Sequence, residues 1–287
     1  MASVSFEIFP SRTPEGELRL WETLDRLETL QPSYVSVTCG AGGSDRESTL
    51  ALLRGLGRRA GLTTAGHLTC VGRASSEVDA EALQYWGAGV RHVVAIRGDM
   101  PGMSGSFEPH PSGYTDAVEL VAAIRRLAPF EVSVAAYPEP HPESRSAAAD
   151  HEVLRRKAAA GATRALTQFC FDSDAIVALR DRLDQAGINL KVVPGVLLAT
   201  DFRAVARMAQ RCGASLPAWL RARFVGLDDD LQTRKLVAAI VAAEQVDHLR
   251  REGFDEFHFY TLNQADLALA VCRMLDIKPQ YEEAHAV

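Results

Sequence analysis

The sequence predicts an α/β fold: a single (β/α)8 TIM barrel over residues 1–287, with extra helix before its last strand. Three observations predict it. Short runs rich in Val, Ile, Phe and Thr recur eight times, separated by longer amphipathic stretches. That alternation over 287 residues matches the roughly 250 residues typical of such barrels. The turn after the first run lacks the glycine-rich pattern of a doubly wound open sheet, the structural rival.

The first run, VSFEIF at 4–9, alternates, with Val4, Phe6 and Ile8 on one face and Ser5, Glu7 and Phe9 on the other. Either face of a buried strand is a costly place for an ionised carboxylate, so Glu7 needs a reason. The amphipathic stretch ELRLWETLDRLETLQ follows as a helix, and YVSVTCG at 34–40 is the second strand. ESTLALLRGLGRRAG is the next helix and ends in Gly, as helix C-termini often do. TAGHLTCVG at 64–72 and HVVAIRGD at 92–99 are the third and fourth strands. The helix DAVELVAAIRRLA leads to the fifth strand, EVSVAAYP at 131–138. RALTQFCF at 164–171 is the sixth, then the helix DAIVALRDRLDQAG, then LKVVPGVLL at 190–198 as the seventh. PAWLRARF and LQTRKLVAAIVAAEQVDHLRREG supply one or two extra helices before the eighth strand, EFHFYTL at 256–262. No linker or low-complexity segment divides the chain, so one domain is expected.

Composition narrows the partners. The chain is 47% hydrophobic and 24% charged, ordinary for a soluble globular protein. A net charge of -6 and no basic tract give no reason to expect nucleic acid. No apolar run reaches membrane-spanning length, and MASVSFEIFP lacks the pattern of a signal peptide. Five scattered cysteines, none in CxxC spacing, indicate neither a disulfide framework nor a metal site. Reduced cysteines in a cytoplasmic protein are the expectation.

The barrel makes the polar residues informative, because active sites of this fold sit at the C-terminal ends of the strands. Glu7, Thr38, His67, Asp99, Tyr137 and Gln168 come from the ends of six different runs. Parity aims Ser36, Thr38, Ser133 and Tyr137 inward and Val35, Val37, Val132 and Val134 outward. Each residue also has a plain structural use: Glu7 paired with Arg97, His67 as an interior histidine, Tyr137 as packing, Asp99 as a turn cap, His141 as a loop residue. GAGG at 40–43 lacks the Lys-Ser/Thr of a phosphate-binding P-loop. Metal hydrolysis is disfavoured by the absence of HxH and HExxH. Only four lysines are present; Lys157 falls in a helix and Lys191 starts the seventh strand, which disfavours a Schiff base. A carboxylic acid with amide and hydroxyl donors around a broad cavity suits an organic cofactor that does the redox work. Residue chemistry alone stops there.

Eight motifs carry the reading further. SFEIFPSR at 5–12, SVTCGAGGS at 36–44, HLTC at 67–70 and AIRGDMP at 95–101 occur in that order. AAYPEPHPE at 135–143, RKAAAGATRALTQFCFD at 156–172, GLDDD at 226–230 and HFYTLN at 258–263 follow. Together they resemble the methylenetetrahydrofolate reductases of the bacterial flavoprotein type, from about residue 3 to 278. The likeness is to the catalytic barrel, without the regulatory domain of the eukaryotic enzymes.

The resemblance implies FAD at the barrel mouth, NADH or NADPH as hydride donor, and 5,10-methylenetetrahydrofolate as acceptor, with the substrates taking turns. It also implies a homo-oligomer. Glu7 matches the acid that serves the folate's N10, and Asp99 matches an aspartate near flavin and pterin whose charge lowers the flavin's potential. Cofactor contacts are implied for Cys39, Ala41, His67, Arg97, Gly98 and Asp99. Further ones are implied for Thr115, Tyr137, His141, Ser144 and Asp150, with Arg156 and Lys157 adding positive charge near the phosphates. Thr38, Asp99, Gln168 and Gln264 match substrate contacts. The chain departs from the pattern at Ser11, Cys39, Val153, Ala204 and Gln264, where the family usually carries Pro, an aromatic, Asn, Gln and a basic residue. A flavin-free relative with direct hydride transfer and a non-redox folate-binding barrel, such as a methyltransferase component, are the alternatives. The flavin spectrum of the purified protein separates them.

Overall fold

The computed structural model describes residues 2–39, 46–59, 61–99 and 108–277. Its elements run β1 (Ser3–Ile8), α1 (Pro14–Glu28), β2 (Val35–Val37), α2 (Arg46–Leu56), β3 (Thr64–Thr69) and α3 (Ser75–Gly87). Then come β4 (His92–Ile96), α4 (Ala117–Leu127), β5 (Glu131–Ala136), α5 (Ala147–Ala159), β6 (Arg164–Thr167) and α6 (Ser173–Gln185). The chain continues through β7 (Lys191–Val193), β8 (Gly195–Leu197), α7 (Phe202–Cys212), α8 (Ala218–Phe224), α9 (Leu231–Arg251), β9 (Glu256–Tyr260) and α10 (Ala265–Met274). The strands are parallel in the order β7-β6-β5-β4-β3-β2-β1-β9-β8, which wraps the sheet into the predicted barrel. Two extra helices, α8 and α9, precede the last strand.

Among the described residues there are nine strands and not eight, because the seventh predicted run breaks at Pro194. Proline has no N–H to donate to a ladder. The run pairs with β6 before Pro194 and with β9 after it. Pro194 still accepts from the His258 N–H at 2.9 Å, and the Gly195 N–H turns to the Thr167 hydroxyl at 2.8 Å. The break is where the barrel closes.

Alternation divides the side chains as parity predicts. Phe6, Ile8, Val35, Val37, Val132 and Val134 point outward into the main core under the helices. A smaller apolar cluster, Tyr34, Ala65, Val94, Leu166 and Val193, fills the barrel interior. The N-terminal end is closed by charge: Arg164 pairs with Glu131 and, at 3.0 Å, with Glu256. Lys191 joins Asp255 at 2.9 Å and Glu256 at 3.0 Å, at the end of the barrel away from the mouth.

Helix starts follow local chemistry. Thr13, Asp116, Ser146, Asp172, Asp201 and Asp230 each cap a helix by accepting from its first-turn N–H groups. Several of these caps sit in the loops that follow the strands, so they also fix the rim of the mouth.

Candidate active site

Strand register brings the polar residues together. Glu7 on β1 lies beside Ser36 on β2 and Tyr260 on β9. His67 on β3 lies beside Val94, which lies beside Ser133 on β5. Neighbours in a parallel ladder share a face, so these side chains enter the barrel.

Below Glu7 is a buried layer of histidines. The Ser5 hydroxyl and His258 Nδ1 are 2.8 Å apart, and the His92 Nε2 and Ser133 hydroxyl are 2.7 Å apart. Tyr34 lies edge-on to His92 at 4.4 Å and stacks on His258 at 5.7 Å. Burial, reinforced by the Arg164 charge, pushes the His92 imidazole down to about 3, so it is neutral near neutral pH. The His67 imidazole is also pushed down by burial, with the Glu7 charge opposing.

This layer predicts an acid-side loss of stability. An unfolded histidine takes a proton near pH 6.5, whereas folded His92 does so only at about 3. Between those values the unfolded chain binds more protons, so stability is full above the upper one and falls as pH drops toward the lower. From pH 7 to pH 5, His92 alone should cost roughly 2 kcal/mol. Urea unfolding at both pH values measures this. His92→Gln keeps a polar partner for Ser133 without the titration and should remove about that much of the slope. An unchanged slope in His92→Gln would reject His92 as its source.

Above the layer, the Glu7 carboxylate meets two imidazoles. Glu7 Oε2 lies 3.4 Å from His67 Nε2 and 3.9 Å from His258 Nε2. Neither contact has hydrogen-bond geometry: both nitrogens are buried without a hydrogen-bond partner in the protein, as is the Thr38 hydroxyl. Unsatisfied buried polar atoms are rare in native proteins, and the two on Thr38 and His67, which line one cavity, mark a place where a ligand or water completes them.

Glu7, Thr38 and His67 belong to a cavity of about 950 Å³ at the mouth, at the upper end for small-molecule sites. Its walls include apolar Val94, Ile96, Ala135 and Leu166. Gly98 turns the chain at φ +86°, a left-handed conformation, with Arg97 and Asp99 on either side lining the cavity. Arg97 binds Glu143 at 2.6 Å, and that hydrogen bond holds the Glu143 carboxyl below its ordinary range. The Glu143 N–H donates to His141 Nδ1 at 3.0 Å, which puts the neutral ring's proton on Nε2. His141 meets Tyr137 edge-on at 4.5 Å. Burial and then the Asp99 charge push the Tyr137 hydroxyl up to about 12, so it remains a donor. Lys157 donates to the Ala135 carbonyl at 3.0 Å, and burial pushes its ammonium down to about 8. The Gln168 carbonyl oxygen accepts from the Phe169 N–H at 3.0 Å, and its amide side chain bonds the Tyr137 hydroxyl at the cavity wall.

The match to the family of methylenetetrahydrofolate reductases extends over residues 1–276. The chain belongs to that family. It is 46% identical over 277 residues to the 5,10-methylenetetrahydrofolate reductase of Escherichia coli strain K12, covering 96% of this chain and 92% of the relative. It is 31% identical to methylenetetrahydrofolate reductase (NADH) 1 of Arabidopsis thaliana, covering 95% of this chain and 48% of that one. Among solved structures, a dihydrodipicolinate synthase from Agrobacterium tumefaciens superposes with a TM-score of 0.57 over 96% of this chain and 75% of its own. At 13% identity that likeness shows the fold alone.

Within this methylenetetrahydrofolate reductase barrel, Cys39, Ser144 and Asp150 line the same cavity, as does Val153 at the departed position. Three implied contacts and one departed position stand elsewhere. Arg156 points away to Asp116 at 3.0 Å, and the Thr115 N–H donates to Glu119 at 2.8 Å. Gln264 lines a second cavity, and Ala204 lines neither. Ala41, with the rest of GAGG, lies outside the described residues. Glu7 does not pair with Arg97, whose carboxylate partner at 2.6 Å is Glu143.

The structure adds residues beyond the six strand-end groups singled out from the sequence. Tyr260 lines the cavity beside Glu7 and donates to the Thr167 carbonyl at 2.7 Å. A Cβ at Gly195 would stand 2.6 Å from its ring and 2.2 Å from that carbonyl, so glycine is required there. Met208, Arg211 and Cys212 enter from α7, and Arg46 and Arg145 from the rim. Among the described residues no cluster of His, Cys, Asp and Glu could hold a metal, and no helix is long and apolar enough to cross a membrane.

Proposed function

We propose that this chain reduces 5,10-methylenetetrahydrofolate to 5-methyltetrahydrofolate, with NADH or NADPH as hydride source and FAD as bound cofactor. One observation carries the reading: in a chain of this family, a carboxyl group stands at the floor of a large mouth cavity between two unpartnered buried imidazole nitrogens. In the reaction the bond from the bridging methylene carbon to N10 breaks, that carbon gains a hydride and becomes the methyl group on N5, and N10 gains a proton. Glu7 is placed to deliver that proton, as a general acid within reach of a ligand in the cavity. His67 and His258 flank it and hold it toward the cavity; Ser5 fixes the His258 ring whichever of the two donates. Gln168 and Asp99 offer a donor and an acceptor for the flat heterocycle, and Tyr260 closes the floor.

The residues present fit FAD. The unpartnered Thr38 hydroxyl and His67 Nε2 await a polar partner, and the apolar walls accept a flat ring. Arg97, His141 and Lys157 place donors for its ribityl and phosphate groups. When bound, the flavin supplies two-electron hydride chemistry that no side chain here can perform. The protein's own part is to orient the partners, exclude water and move the proton.

Anaerobic assay of the purified protein with NADH or NADPH and the folate tests this. One 5-methyltetrahydrofolate per nucleotide oxidised, from protein with flavin absorbance, is the expected result. Nucleotide oxidation without the methyl product rejects the reading. Turnover by colourless protein retains the reduction and removes the flavin.

A further inference from the structure

A general acid must hold its proton before the substrate arrives, and the groups that face its carboxyl decide whether it does. The titratable groups that face Glu7 from other elements are His67 on β3, His258 and Tyr260 on β9, and Tyr34 in the loop before β2. Burial pushes the Tyr34 hydroxyl up to about 12 and the Tyr260 hydroxyl up as well, so both stay neutral. Arg164 and Glu256 act on Tyr34 from the closed end, and His67 on β3 and His92 on β4 lie near His258 within the layer. Both imidazoles that meet Glu7 approach the same oxygen, Oε2.

His258 is wedged in place. It is fully buried, with Tyr34 stacked on it at 5.7 Å and Tyr260 edge-on at 5.4 Å. Ser5 stands directly across the ladder and brings its hydroxyl to 2.8 Å from Nδ1. The same hydroxyl has an acceptor at 3.3 Å, the Phe257 carbonyl. A serine hydroxyl has one proton, and a carbonyl has none to give. Both contacts are filled only if Ser5 donates to Phe257 and accepts from the ring. In the neutral ring the proton then sits on Nδ1, and Nε2 presents a bare lone pair toward Glu7. That Nε2 is buried and has no hydrogen-bond donor in the protein.

We propose that Ser5 and His258 are positioning residues for the general acid: Ser5 fixes the Nδ1–H tautomer, and the Nε2 lone pair accepts the Glu7 O–H and keeps the proton there until N10 takes it. The inference rests on the proposed reduction, in which Glu7 serves N10. A hydrogen bond accepted from the neutral carboxyl favours the acid form, whereas an N–H aimed at Glu7 would favour the carboxylate. Catalytic hydrogen bonds often tighten only when substrate binds, and here the Glu7 side chain turns to close the 3.9 Å while the wedged ring stays. On transfer the Glu7 O–H bond breaks and the N10–H bond forms. The carboxylate left behind faces a lone pair and regains its proton from water.

NMR of the purified protein with isotope-labelled histidine nitrogens reads the tautomer directly, with His258→Gln assigning the signals. A proton on Nδ1 and a bare Nε2 is the expected result, and a proton on Nε2 overturns the proposal. The second arm is kinetic. Ser5→Ala frees the ring to take either tautomer. It should move the alkaline fall of the folate half-reaction about one pH unit toward acid, the size of one hydrogen bond, which is about tenfold in rate above the fall. Below the fall the rate should recover. Nucleotide oxidation with an artificial quinone acceptor delivers no proton to N10 and should keep its pH profile. A loss of equal size at every pH, or a folate profile that Ser5→Ala leaves in place, overturns the role of Ser5 and His258 alone. No methyl product from the native chain overturns the reduction and this role together, whatever the tautomer.

Discussion

Glu7→Gln should lower folate reduction by on the order of 10²–10⁴-fold, the usual contribution of a positioned general acid. It should leave NAD(P)H oxidation with an artificial quinone acceptor nearly as fast as before. Glutamine has the shape of glutamate but no proton to give. The backbone contacts that place residue 7 do not involve the carboxylate. The strand is fixed by its register with β2 and β9, and the Thr261 hydroxyl donates to the Glu7 carbonyl at 2.7 Å. The substitution should therefore fold and bind ligands as before. Only the step that needs a proton on N10 should suffer, because hydride removal from the nucleotide needs no acid. Separate measurement of the two half-reactions decides it. Equal loss in both would show that Glu7 holds the floor of the cavity together and supplies no proton.

The pattern in the sequence was enough to place Glu7 because strand parity is a local property. A carboxylate on the inward face near the C-terminal end of a barrel strand has one destination, the mouth. The same parity argument was available for Tyr260, two residues after His258 and level with Glu7 across the ladder. Pro194 was a readable break, since proline cannot serve a central strand. Arg156 and Lys157 show a subtler limit. Adjacent helical residues point about 100° apart, so both cannot face one cavity. The structure turns Lys157 inward and gives Arg156 to Asp116. Other features were not legible at all. Arg97 finds Glu143 46 residues away, and Arg211 enters the mouth from a helix whose docking depends on the whole fold. Gln264 illustrates the same point: its position along the chain is clear, but only the folded rim shows that it faces the second cavity.

Glu81→Gln should destabilise the fold by about 3–5 kcal/mol, the usual result of stripping one partner from a buried ion pair. Glu81 on α3 meets Arg73 at 2.5 Å, and both side chains are only 8% exposed. The Arg73 guanidinium also donates to the Glu77 carbonyl at 3.0 Å, but that leaves its charge uncompensated without Glu81. Arg46, 3.8 Å from Glu81, would then add like charge. Tyr85 donates to Glu81 Oε1 at 2.8 Å and stands 3.0 Å from the His67 carbonyl, so the pair also braces the strand that carries His67. Arg73→Met/Glu81→Leu removes both charges and keeps apolar volume, and should recover most of the loss. Urea unfolding of the native chain, the single and the double variant makes the comparison at one pH. A double variant as unstable as the single would reject the charge argument. Packing around Tyr85 would then be what Glu81 provides.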